Sequence, residues 1–369
     1  MVDLQGQYQN LKSEIDSAIH TTLDSSQYIN GKQVSDFEIQ LSQFLNADHV
    51  ISCGNGTDAL MIALMALELK PGDEVIIPSF TYVATAEVIA LLGLNPIMVD
   101  VEYDSFNINI DAIQNAITTK TKAIIPVHLF GESCKMTEIL AIAKKHNLYI
   151  IEDNAQSLGT DYIKKDGSKI KTGLIGDIGC TSFYPSKNLG AYGDGGALTT
   201  NDAILAENIR KISNHGQSKR YYHSMVGVNS RLDSIQAGIL SVKLNYLNEF
   251  NQKRCELAQF YSSGLSKIDD IILPQESKHS SHVYHQYTLK VKNNKRDKLK
   301  DFLKDNHIPS MIYYPVPLYK QEAYKNDKEE IVHPVTEQLC NEVLSLPMHP
   351  DMKEDQKVYI VDTIKTFFG

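Results

Sequence analysis

Between residues 49 and 153 short apolar runs alternate with stretches long enough for two or three helical turns. The runs are 49–53, 74–77, 96–100, 122–127 and 149–153, and helical patterns at 58–68, 82–92, 110–118 and 136–146 separate them. Strand-helix alternation of this kind predicts an α/β fold with a mostly parallel central sheet covered by helices. In such sheets ligands collect at the carboxyl ends of the strands, so the residues just after each run matter most.

Four unusual segments fall at those ends. Cys53-Gly-Asn-Gly-Thr57-Asp58 joins a strand to a helix, where free amides and the positive end of the helix dipole could hold a phosphate. Pro78-Ser-Phe-Thr-Tyr82 brings an aromatic ring to the same rim, although Tyr82 could equally be a core tyrosine. Tyr149-Ile-Ile-Glu-Asp153-Asn-Ala-Gln156 ends an apolar strand on an acidic pair, whose last carboxylate could face a ligand or cap a following helix. The fourth segment, residues 177–201, carries Lys187 between a β-compatible run and a glycine-dense stretch, Gly179, Gly190, Gly193, Gly195 and Gly196. Such density permits positive φ or close backbone approach. A lysine on so tight a turn is either a solvated loop residue or an amine placed to form a Schiff base with a carbonyl.

The N-terminal 45 residues read as two helices, 7–23 and 34–45, forming a mobile or capping arm. Beyond residue 201 a helix covers 202–213, and three of the five arginines of the chain, Arg210, Arg220 and Arg231, fall in the short span from there to residue 232. Arginine suits carboxylate and phosphate. A long helix is expected over 233–261, then a strand at 283–291, a helix at 296–306, a strand-like run at 310–314 and a helix at 336–343.

A chain of 369 residues has room for about two domains. Its net charge of −9 argues against a nucleic-acid-binding surface and leaves small molecules as the expected partners. The first residues show no signal-peptide pattern and no apolar run reaches membrane-spanning length, so the expected setting is cytoplasmic, without membrane association. The five dispersed cysteines read as reduced thiols. His279, His282 and His285 are not expected to bind a metal, because a strand pattern there sends His282 and His285 to opposite faces.

Taken in order, GNGTDAL, PSFTYVATAE, IEDNAQSLG, TSFYPSKNLGAYGDGGAL and NSRLDSIQA resemble the DegT/DnrJ/EryC1/StrS sugar aminotransferases. The resemblance implies a type I pyridoxal-phosphate fold with an N-terminal helical arm (1–45), a large cofactor-binding α/β domain (46–245), and a linking helix with a smaller α+β C-terminal domain (246–369). It also implies that Lys187 forms the Schiff base with pyridoxal 5'-phosphate. Asp153 would face the pyridine nitrogen, and Gln156 the phenolic oxygen. Gly56, Thr57 and Ser182 would hold the phosphate, with Asn229 supplied by the second subunit of a homodimer, and Tyr82 would stack on the ring.

The implied reaction moves nitrogen from L-glutamate to the 3-keto carbon of a nucleotide-linked sugar. The chain is most similar to enzymes acting on UDP-2-acetamido-2-deoxy-3-oxo-glucuronate in bacterial surface-polysaccharide (lipopolysaccharide, O-antigen) biosynthesis. Arg231 would then meet an acidic group, and Tyr313 and Tyr314 would line the sugar pocket, with Tyr-Tyr where relatives carry His-Tyr. The alternatives are a dTDP-3-keto-6-deoxyhexose substrate and a non-catalytic regulatory protein on the same fold. A dehydrating relative carries histidine in place of the lysine, so Lys187 argues against that chemistry. Asn55 and Asn154 depart from the small residues usual in the family.

Overall fold

The computed structural model describes residues 1–325 and 332–369. Seven strands form the central sheet: β1 (His49–Cys53), β2 (Glu74–Pro78), β3 (Asn95–Val99), β4 (Thr121–Ile124), β5 (Tyr149–Asp153), β6 (Ile178–Ser182) and β7 (Gly196–Thr200). Their order is β1-β7-β6-β5-β4-β2-β3. β3, β2, β4, β5 and β6 run parallel, whereas β7 is antiparallel to both of its neighbours. Parallel strands are covered on both faces and so read as unbroken apolar runs. Val75, Ile76 and Ile77 of β2 are accordingly all fully buried. Because β6 and β7 are antiparallel neighbours, the chain returns between them by a direct loop, and that loop carries Lys187 at the carboxyl end of β6.

The two N-terminal helices, α1 (Leu4–Ser25) and α2 (Lys32–Leu45), are packed into the molecule rather than standing off as a mobile arm. Val34, Phe37, Leu41 and Leu45 of α2 recur at helical spacing and bury one stripe. Phe37 meets Phe183 edge to face with ring centroids 5.4 Å apart, so α2 supports the loop that carries Lys187. Burial of a phenylalanine of this kind contributes about 2–3 kcal/mol.

The C-terminal part builds a second, antiparallel sheet from Ile271–Ile272, Tyr287–Val291 and Val343–Leu346, flanked by helices Arg296–Asp305 and Glu354–Phe368. Leu289, Leu299, Leu303, Leu344 and Ile364 form its fully buried centre. Among the described residues no helix is long and apolar enough to cross a membrane.

Several expected elements differ. The single helix over 233–261 is two, Ser234–Leu244 and Leu247–Leu265. The turn between them tightens, with Asn245 N–H donating to the Val242 carbonyl (3.3 Å) and Tyr246 N–H to that of Lys243 (3.1 Å), which redirects the axis. The strand expected from 283 starts only at Tyr287, because Tyr284 takes φ of 43° and breaks the extended run. At 310–314 pairing is confined to a bridge between Met311 and Ser345, since Pro315 and Pro317 offer no N–H to extend a ladder. None of the five glycines around Lys187 adopts positive φ. Their role is close approach: a Cβ on Gly190 would lie 2.2 Å from the Pro185 carbonyl oxygen, so this turn closes only around glycine.

Candidate active site

A cavity of about 810 Å³ opens at the carboxyl ends of the strands. It gathers Gly56, Thr57, Tyr82, Asp153, Gln156, Ser182, Lys187, Tyr313 and Tyr314, residues far apart in the sequence.

Lys187 sits on a turn closed by its own N–H donating to the Tyr184 carbonyl (2.8 Å). A second closure, from Ala191 N–H to the Phe183 carbonyl (2.8 Å), holds the base of the loop. Burial lowers the Lys187 pKa from 10.5 to about 8, and the nearby Asp153 charge opposes that shift only in part. A lysine in this state is an available nucleophile and proton acceptor near neutral pH, not a solvated loop residue.

Asp153 ends β5 and is buried. Its Oδ2 accepts from the Thr85 hydroxyl (2.9 Å) and its Oδ1 from Ala155 N–H (3.2 Å), which fixes the plane of the carboxylate. Helix capping does not explain it, since no helix begins within the next residues. Burial pushes its pKa up, against the lowering effects of these two hydrogen bonds and of Lys187 and His128.

The residue before it, Glu152, is fully buried and accepts from Gly173 N–H (2.8 Å), Ile175 N–H (2.6 Å), Gly176 N–H (2.7 Å) and His128 Nε2 (2.8 Å). This fourfold anchor ties the tip of β5 to the loop leading into β6. Glu152→Gln replaces one acceptor oxygen with an N–H group that faces other N–H groups. The substitution is expected to cost about 3 kcal/mol or more, read as a lower urea midpoint at unchanged m-value. An unaltered midpoint would remove Glu152 from the scaffold of the site.

Helix α3 (Gly56–Ala66) begins at the cavity. Asn55 is its N-cap, accepting from Asp58 N–H (2.8 Å), which gives this unusual asparagine a structural reason. The amides of Gly56 and Thr57 remain for an anion. A Cβ on Gly56 would lie 2.6 Å from the Ser182 Cβ, so the lack of a side chain there lets β6 approach the helix start. Asn154, the second unusual asparagine, donates to the Thr172 carbonyl (3.2 Å) and is likewise structural.

Gln156 accepts from Phe130 N–H (2.8 Å) and donates to the Tyr314 hydroxyl (3.3 Å), linking the strand ends to the C-terminal part. Tyr82 is 57 % exposed, which excludes the core reading, and its ring lies 6.3 Å from that of Tyr314. Tyr313 and Tyr314 are joined by a cis peptide bond.

Asn229 and Arg231 are not in this cavity. Ser230 between them accepts from Gly54 N–H (2.9 Å) and donates to Asp58 Oδ2 (2.6 Å), which pins the segment behind the helix start. Arg231 lines a separate hollow of about 270 Å³, and Asn229 is exposed. Of the other arginines, Arg210 pairs with Glu38 (3.0 Å), and Arg220 lies over the Tyr221 ring at 5.3 Å.

The three histidines have separate partners: His279 with Ser277, His282 stacked on Tyr284 at 3.9 Å, and His285 with Asn188. The sequence reading missed Thr85, Asn188 and His285 at the site. Thr85 lies within the quoted PSFTYVATAE motif and Asn188 follows the key lysine, whereas no local pattern marks His285.

Residues 9–365 match the DegT/DnrJ/EryC1/StrS aminotransferase family. A pleiotropic regulatory protein of Geobacillus stearothermophilus is 44% identical over 100% of this chain and 98% of its own length. The UDP-2-acetamido-2-deoxy-3-oxo-D-glucuronate aminotransferase of Pseudomonas aeruginosa is 45% identical over 95% of this chain and 94% of its own. A dTDP-3-amino-3,6-dideoxy-alpha-D-galactopyranose transaminase of Aneurinibacillus thermoaerophilus is 41% identical over 99% and 98%. Among solved structures, a DegT DnrJ EryC1 StrS aminotransferase from Brucella abortus superposes with a TM-score of 0.93 at 40% identity, covering 100% of this chain and 99% of its own. NtdA from Bacillus subtilis, solved with bound cofactor PMP, gives 0.90 at 31% identity over 97% and 82%. The chain belongs to the DegT/DnrJ/EryC1/StrS aminotransferase family and is a pyridoxal-phosphate-dependent aminotransferase.

Proposed function

We propose that this aminotransferase moves the amino group of L-glutamate to the 3-keto carbon of a nucleotide-linked sugar, UDP-2-acetamido-2-deoxy-3-oxo-glucuronate, in surface-polysaccharide (O-antigen) biosynthesis. The observation that carries the reaction is the meeting of the Lys187 amine, the buried Asp153 carboxylate and the free amides of Gly56 and Thr57 in one cavity. An amine, a carboxylate and an anion cradle suit a flat aldehyde bearing a phosphate, so the residues fit pyridoxal phosphate. The sugar assignment draws its support from the glucuronate aminotransferase of Pseudomonas aeruginosa.

When bound, the cofactor supplies a carbonyl that takes the amine and a ring that accepts the electron pair left at the donor's α-carbon. Lys187 anchors it and, once free, takes the proton from that α-carbon; a pKa of about 8 suits a group that must both accept and release it. Asp153, opposite in charge, favours a protonated pyridine nitrogen. Gly56, Thr57 and Ser182 hold the phosphate, Gln156 faces the phenolic oxygen, and Tyr82 covers the ring.

Arg231, Tyr313 and Tyr314 receive the sugar and the donor carboxylate. That Asn229 and Arg231 lie outside the cavity of their own chain supports a homodimer in which each subunit completes the other's site. Unpaired and mostly buried cysteines suit a cytoplasmic enzyme.

The test is a single-turnover transfer. Protein loaded with pyridoxamine phosphate is mixed with each candidate keto-sugar, and the return of the visible cofactor band is followed. The band is expected to return with the UDP-3-oxo-glucuronate substrate. Return with dTDP-3-keto-6-deoxyhexoses alone would move the substrate to that class, which the Aneurinibacillus thermoaerophilus relative supports. A non-catalytic regulator, the reading suggested by the Geobacillus stearothermophilus relative, would bind a nucleotide sugar and give no band with any of them.

A further inference from the structure

The turn that carries Lys187 is tied to the C-terminal part by a buried chain of amides that fixes the protonation of His285. Asn251, on helix Leu247–Leu265, donates from Nδ2 to the Leu158 carbonyl (3.2 Å), which leaves its Oδ1 as an acceptor. Asn188 Nδ2 donates to that oxygen (2.7 Å) and to the Val283 carbonyl (3.1 Å). Both of its protons are thereby committed, so Asn188 can present only Oδ1 to His285 Nδ1, 3.2 Å away. An oxygen acceptor there requires an N–H on Nδ1, and the neutral ring then carries its lone pair on Nε2. Main-chain carbonyls, which cannot donate, orient both amides and so decide the tautomer.

His285 lines the same cavity as Lys187. Among the described residues neither His285 Nε2 nor Lys187 Nζ has a hydrogen-bond partner, and both side chains line the cavity. We propose that His285, held on Asn188 beside Lys187, is a positioning residue for that lysine, its Nε2 accepting a hydrogen bond from the ammonium when the lysine side chain turns toward it. The inference rests on Lys187 being the amine that engages the cofactor. Burial and the charges of Lys187 and Arg254 hold the imidazole well below its usual pKa, so it stays neutral. The other titratable groups lining the cavity are Asp153 on β5, Asp58 on α3, Tyr82, Tyr184 and Asp194 on the loops, and Tyr313 with Tyr314 from the C-terminal part. Against burial, Asp153 raises the Lys187 pKa. A neutral acceptor does the same, because it bonds the charged form.

The apoprotein is mixed with pyridoxal phosphate across a range of pH, the product is fixed with borohydride, and the modified lysine is located and counted by mass spectrometry. His285→Asn retains a donor toward Asn188 and removes the acceptor at Nε2, so its pH midpoint for capture by Lys187 is expected to fall by about one unit. His285→Gln places an amide oxygen near the Nε2 position and is expected to keep the wild-type midpoint with a lower melting temperature. A merely structural role would lower melting temperatures without moving the midpoint, so an unchanged midpoint in His285→Asn overturns the inference. Failure of the wild type to capture pyridoxal phosphate at Lys187 overturns the cofactor reading itself, a distinguishable result. Nitrogen NMR of labelled histidines in the wild-type protein supplies a measurement free of any folding defect. A neutral ring protonated on Nδ1 is expected for His285, and a ring protonated on Nε2 overturns the proposal.

Discussion

Lys187→Ala is expected to lower amine transfer by about 10⁴-fold or more and to abolish the visible cofactor band. The loss is large because in the proposed reaction one side chain would both anchor the cofactor and carry the proton of the donor's α-carbon, and among the described residues no second amine lines the cavity. The same substitution should also reveal how much stability the site gives up. In the folded protein the Lys187 pKa is lowered from 10.5 to about 8, chiefly by burial. Between those values the unfolded chain binds more protons than the folded one, so stability rises with pH through that window. For the wild-type apoprotein the gain from this residue is roughly 3 kcal/mol at most. The alanine variant should lack that increment. Thermal unfolding of both apoproteins, stepped from about pH 7.5 to about pH 10.5, measures it, since Lys243 and the other lysines contribute to both curves and cancel in the difference. Parallel curves would show that the Lys187 ammonium is not held in a desolvated state.

The strands of the central sheet were legible where a short apolar run stands between helical patterns, as Val75-Ile-Ile77 of β2 and Ile150-Ile151 of β5 do. Strands β1 and β5 and the helix Met136–His146 fall on the residues the pattern marks. The site was legible for the same reason: chemistry-bearing residues interrupt apolar runs at the strand ends, as Asp153 and Gln156 do after Tyr149-Ile-Ile. The C-terminal part was less so. Val343–Leu346 is a strand of four buried residues that directly continues a helix, and no period distinguishes the two there. Glu354–Phe368 went unmarked because Lys353, at its N-cap, is not a capping residue; its start is held by Lys353 N–H donating to Gln356 Oε1 (3.0 Å). His285 could not be found locally at all. Its protonation is set by Asn188, Asn251 and two carbonyls from separate segments, and only the fold brings them together.

Asp153→Asn is expected to lower kcat by about 10³-fold, the size associated with loss of one preorganised electrostatic contact in a water-poor site. Asparagine keeps the shape of the side chain and can still accept from one of its two donors, Thr85 and Ala155, so the fold should survive. What it cannot keep is the negative charge that, in the proposed arrangement, would favour a protonated pyridine nitrogen. Thr85→Val probes the same carboxylate from the other side. The charge remains, but the lost hydroxyl had stabilised the ionised form, so the Asp153 pKa, already raised by burial, must rise further. The acid limb of the kcat/KM profile should therefore move to higher pH in Thr85→Val, with a loss of about tenfold or less above it. The two substitutions separate charge from placement. If Asp153→Asn transferred amine as fast as the wild type, the carboxylate would have no part in the reaction. If Asp153→Asn failed while Thr85→Val left the acid limb in place, the carboxylate would act through its charge and owe its ionisation to the Ala155 amide and the neighbouring Lys187 and His128 rather than to Thr85.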